Sequence, residues 1–132
     1  MKRIIFTIVA TFITTGALAQ DILPLRHGIY VTDGVSCGTP PYSDLMGYYG
    51  DYIAPGHNTC TFGEVTRHGN SYETTMTCLE VQSDNVSQID HRFTILDREH
   101  FQVAVMGNLH FTVPIKPDVM RWCGEDVHAL GY

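Results

Sequence analysis

The chemistry-bearing residues of this chain are four cysteines and seven histidines, and their spacing decides what they can do. Cys37, Cys60, Cys78 and Cys123 contain no Cys-x2-4-Cys pair, the spacing of a zinc site. Two disulfides are therefore expected instead. We favour Cys37 with Cys60 and Cys78 with Cys123, since each bond ties an irregular segment to a paired strand; Cys60 with Cys78 is the rival. Among the histidines no H-x-H or H-E-x-x-H pair occurs, so metal binding has only weak candidates, His91 and His110, which lie on expected strands. No metal or cofactor is expected. Histidines beside an acidic surface are also candidate pH sensors with raised proton affinity.

Catalytic constellations are missing. No G-x-S-x-G elbow occurs, Asp90 and His91 are neighbours on a strand and so point to opposite faces, and no spacing singles out two carboxylates. The chain is expected to be no enzyme. For recognition, Tyr42, Tyr48, Tyr49 and Tyr52 are interleaved with Pro40, Pro41, Gly47, Gly50, Asp44 and Asp51. Rigid amphipathic rings among turn residues and carboxylates suit a partner-binding loop face that meets a basic protein. The plainer reading has alternate tyrosines covering a sheet while one fills the core.

These residues need a scaffold, and the pattern around them is that of strands. Phe93 and Ile95 alternate with Arg92 and Thr94, the Asp97–His100 stretch turns, and Phe101, Val103 and Val105 alternate with Gln102 and Ala104. Gly107-Asn108 makes the next reversal, and Leu109, Phe111 and Val113 continue the alternation. Upstream, Cys60 to Arg67 and Ser71 to Val81 flank His68-Gly69-Asn70. A three-residue loop there pairs Arg67 with Ser71 and Cys60 with Cys78, whereas a two-residue loop sets the cysteines on opposite faces. His27 to Thr32 reads as a strand with Ile29 and Val31 on one face and Tyr30 on the other. Leu45 to Tyr49 and Tyr52 to Ala54 form a short hairpin around Gly50-Asp51. Gln82 to Gln88 reads as a loop, and the tail is irregular around Pro114 and Pro117, with a short turn from Asp118 to Trp122. The expected fold is all-β, a small antiparallel sandwich or barrel of about seven short strands, disulfide-stapled.

Residues 1–19 read as a signal peptide, with Lys2 and Arg3 before an apolar run that ends in Ala17-Leu18-Ala19. Residues 20–132 then form one secreted β-rich domain, periplasmic by preference, in a compartment where cysteines oxidise. Losing Lys2 and Arg3 with the leader leaves six basic residues against fourteen acidic ones, a formal charge of −8 with histidines neutral. That balance argues against nucleic acid and anionic membranes and favours a cationic partner.

The run Leu23-Pro24-Leu25-Arg26-His27-Gly28-Ile29-Tyr30, then Cys37, Cys60 and His68-Gly69-Asn70-Ser71-Tyr72 leading to Cys78, resembles small exported bacterial proteins of unassigned function. The broad design is similar to that of periplasmic lysozyme inhibitors, whose targets are basic enzymes, though no inhibitory motif carries over. The resulting expectation is an exported, non-catalytic binding or inhibitor-type protein. A small-ligand or metal-binding β-barrel and a hydrolase are the alternatives.

Overall fold

In the computed structural model, which describes residues 20–106 and 118–126, eight antiparallel strands follow one another around a closed barrel. They are β1 (Gly28–Thr32), β2 (Leu45–Tyr48), β3 (Tyr52–Pro55), β4 (Asn58–His68), β5 (Ser71–Glu80), β6 (Val86–Asp97), β7 (His100–Met106) and β8 (Asp118–Gly124). Each pairs with the next in sequence, and β8 pairs with β1 to close the ring. Closure leaves the sheet without an edge strand, so no row of backbone donors is left open to another chain. The expected leader over 1–19 and the expected strand over Leu109 to Val113, with His110, lie outside the described residues.

The closing strand is the element that the sequence pattern hides. The expected turn from Asp118 to Trp122 is instead β8, with Met120 buried beside Phe101 and Trp122 packed against the core. Its alternation is short, follows Pro117 directly and carries a charge at Arg121, so only its neighbours β7 and β1 make it a strand. The expected loop from Gln82 to Gln88 is likewise shorter than anticipated. β6 already begins at Val86, because the polar residues Ser87 and Gln88 are exposed on a half-solvated ladder opposite Cys78 and Thr77.

The β4–β5 hairpin combines the two registers that the sequence set against each other. Its turn is the two-residue Gly69-Asn70, since His68 pairs with Ser71, yet Cys60 still pairs with Cys78 and Phe62 with Met76. A β-bulge reconciles them: Gly63 and Glu64 together stand opposite Thr75, adding one residue to β4 and returning the side chains beyond it to the inner face. Glycine is required at the bulge, where a Cβ on residue 63 would lie 2.5 Å from the Thr75 carbonyl oxygen.

The disulfides are Cys37–Cys123 and Cys60–Cys78, which corrects the favoured pairing of Cys37 with Cys60 and Cys78 with Cys123. The bulge places Cys60 and Cys78 opposite each other inside the barrel, 1% and 6% exposed. Closure carries β8 to β1, so the loop after β1 lies beside Cys123. The second fact is not local in sequence, since 86 residues separate the two cysteines.

Side chains fill the barrel interior. Tyr30, Tyr48, Ile53, Met76, Phe93 and Phe101 are its largest buried groups, as expected of eight strands, whose lumen is about wide enough for side chains alone. Leu23 and Leu25 of the segment before β1 join the same cluster and close one end. Hydrogen bonds fix that plug: Ile22 N–H to the Gly50 carbonyl at 3.1 Å and Arg26 N–H to the Arg98 carbonyl at 2.8 Å. β1 buries both faces. Tyr30 points into the core, while Ile29 packs with Leu45 beneath Cys37, Tyr49 and Cys123.

Candidate functional site

The six residues expected to form one binding face are divided among three environments. Tyr48 is in the core, 0% exposed, so it is withdrawn from any surface. Its hydroxyl accepts the Leu23 N–H at 2.9 Å and lies 2.8 Å from the Leu23 carbonyl and 3.1 Å from that of Gly50. Burial pushes its pKa up to about 12, with Asp21 and Asp51 adding to the rise. This is the plainer sequence reading, one tyrosine inside and its neighbours outside, and strand alternation is the reason.

Tyr42 and Asp44 sit before β2, in a single 3-10 turn over Tyr42–Asp44. The Tyr42 ring lies 4.2 Å from the His57 ring, tilted by 33°. Tyr49, Asp51 and Tyr52 occupy the opposite end of the β2–β3 hairpin, roughly 13 Å away along four residues of strand. The expected contiguous face is therefore two separate ends.

Of the two, the Tyr49–Tyr52 end is the more organised. The turn between the tyrosines is closed by Tyr49 N–H on the Tyr52 carbonyl at 3.1 Å, and the two rings stack 5.0 Å apart at 28°. Tyr49 lies over Gly47, where a Cβ would come 2.6 Å from the ring, so glycine at 47 makes the seat for the aromatic. From below, Tyr49 packs on Ile29 and Leu45, the same cluster that Cys37 and Cys123 cover. Both rings are half-buried and Asp51 is exposed. Burial raises the Tyr49 pKa, with Tyr52 and then Asp126 adding to it, so a carboxylate stands near the pair. The result is a rigid apolar ridge with acidic neighbours.

His91 sits elsewhere, on β6. Its ring stacks on Phe93 at 5.9 Å and 12°, and Nδ1 is 3.0 Å from the Ile89 carbonyl. Burial lowers its pKa, more than the Ile89 carbonyl and Asp90 raise it, which reverses for this histidine the expected gain in proton affinity. A surface cavity of about 390 Å³ beside it is lined by Glu64, Glu73, Asp90 and Met106. The acids are already engaged in part, Asp90 by the Thr75 hydroxyl and Glu73 by Arg92 at 2.7 Å. Among the described residues no three potential ligands gather around a metal position, and His110 lies outside them.

A pH prediction follows from His91. The unfolded chain takes up this proton near pH 6.5, whereas the folded chain resists it until lower pH, so the stability contribution is present above about pH 6.5 and lost as pH falls below it. The wild type is expected to lose more thermal stability between about pH 7.5 and 5.5 than His91→Gln, as followed by circular dichroism. Equal losses would exclude His91 as the source.

Two imidazoles contact carboxylates, His27 with Asp21 at 2.8 Å and His100 with Asp97 at 2.9 Å. Neither carries a hydroxyl or thiol on its other nitrogen among the described residues, so neither pair activates a nucleophile there. Compared with known protein families, curated proteins and solved structures, the chain matches none. The class that fold and site define is a disulfide-bonded, eight-stranded antiparallel barrel with a filled interior and an aromatic ridge outside it. No helix among the described residues is long and apolar enough to cross a membrane.

Proposed function

We propose that this chain is an exported, non-catalytic binding protein of inhibitor type that holds a basic protein partner, such as a cationic enzyme of the cell envelope, on the Tyr49–Tyr52 ridge. The observation that carries the reading is the stacked pair itself: two rings fixed in place before binding, half-exposed, beside Asp51 and Asp126. Fixed rings lose little side-chain entropy on association, and acidic neighbours speed encounter with a cationic surface. The filled interior favours a surface role over enclosure of a small ligand. Export rests on the N-terminal pattern and agrees with the two disulfides.

The test is capture from an envelope extract at low and high salt, identification of the captured protein, and calorimetry of the purified pair. A basic partner is expected, bound less tightly as salt rises. Replacing both rings, Tyr49→Ala with Tyr52→Ala, is expected to weaken binding by about 30-fold or more, the effect of losing a central aromatic anchor. Binding that neither salt nor the double substitution alters would refute the assignment.

A further inference from the structure

The two disulfides sit in opposite environments. Cys60–Cys78 is sealed inside the barrel, whereas Cys37 and Cys123 lie on its outer face and are partly exposed. Arg121 lies two residues before Cys123 on β8, hence on the same face of the strand. Its guanidinium Nη1 is 3.2 Å from Cys37 Sγ and 3.7 Å from Cys123 Sγ. Its Nη2 donates to the Val35 carbonyl, which anchors the group to the loop that carries Cys37. Asp33 offers a competing charge at 3.9 Å, but it is 67% exposed and so a weak competitor.

A cation beside a sulfur stabilises the thiolate that forms when the bond opens, and the sulfur better stabilised leaves faster. The geometry points to Cys37–Cys123 as a thiol-exchange site, at which an external low-molecular-weight thiol attacks Cys123 and Arg121 receives the departing Cys37 thiolate. In that step the attacking thiolate forms a new S–S bond to Cys123 Sγ while the Cys37–Cys123 bond breaks. The electron pair of the broken bond passes to Cys37 Sγ, beside Arg121. A second thiol resolves the mixed disulfide, leaving two free cysteines and one oxidised thiol pair, so electrons balance. Opening frees from β8 the loop between β1 and β2, whose Cys37 packs against Ile29 and Leu45, while the inner disulfide keeps the long hairpin closed. The inference does not depend on the binding role of the ridge.

Reduced glutathione is the probe, added stepwise to the folded oxidised protein, with acid quench, N-ethylmaleimide labelling and peptide mass mapping. The expected products are glutathione on Cys123 and maleimide on Cys37, with Cys60–Cys78 intact until denaturant is added. Arg121→Met is expected to slow opening by roughly three- to tenfold, and Arg121→Lys by less. The site is overturned if glutathione goes to Cys37, if both bonds open together, if neither opens, or if Arg121→Met reacts at the wild-type rate. Should Arg121→Met fail to fold, the pH profile of Cys37 alkylation in the singly reduced wild type decides. A midpoint well below the ordinary thiol value of about 8.5 supports the site, and one at or above it overturns the site.

Discussion

Phe93→Ala is expected to lower the unfolding free energy by about 3–5 kcal/mol, most of the margin by which a small domain is stable. Phe93 is 0% exposed on β6, between Tyr72 of β5 and Val103 of β7. Its ring centroid is 5.8 Å from that of Phe62 and 6.0 Å from that of Phe101, so it bridges the β4 side of the barrel to the β7 side. A closed barrel cannot easily collapse onto the space the ring vacates, because each wall is tied to two neighbours. Urea unfolding should show a lower midpoint with an unchanged slope. A loss under about 1 kcal/mol would mean that the core repacks freely.

The second large effect comes from a single oxygen. Tyr48→Phe keeps the ring but removes the hydroxyl that accepts from Leu23 N–H and lies within bonding distance of the Leu23 and Gly50 carbonyls. Those backbone groups are buried by the plug and have no water to turn to, so the expected cost is about 2–3 kcal/mol. Tyr52→Phe, on the surface, should cost under about 0.5 kcal/mol and serves as the control. Amide exchange at Leu23 should accelerate in Tyr48→Phe and not in Tyr52→Phe. Unchanged exchange would show that the plug is held by its leucines alone.

Legibility followed the range of the interactions. The hairpins β2–β3, β4–β5 and β6–β7 were readable because their alternation and turn residues are adjacent in the chain. At the candidate site, the sequence picked out the β2–β3 hairpin but not its division, since it could not say that Tyr48 turns inward while Tyr42 and Tyr52 end on opposite ends of one strand pair. Two further signals lie in the sequence. Gly47, two residues before Tyr49, marks a seat for a ring on the same face, and Arg121, two residues before Cys123, marks a cation beside a sulfur. The period of two in a strand makes both legible once the strand is known.

Local pattern by itself therefore determined the all-β character, most of the strands and the presence of hairpins, since period-two alternation and turn chemistry are properties of neighbouring residues. Only the tertiary structure decided that β8 exists and pairs with β1, that a bulge at Gly63 and Glu64 faces Cys60 toward Cys78, and that Cys37 finds Cys123 across 86 residues. Each of those depends on where the ring of strands closes. That closure is set by how Tyr30, Tyr48, Phe93 and Phe101 together fill one interior, a property of the packed whole that no window of sequence contains.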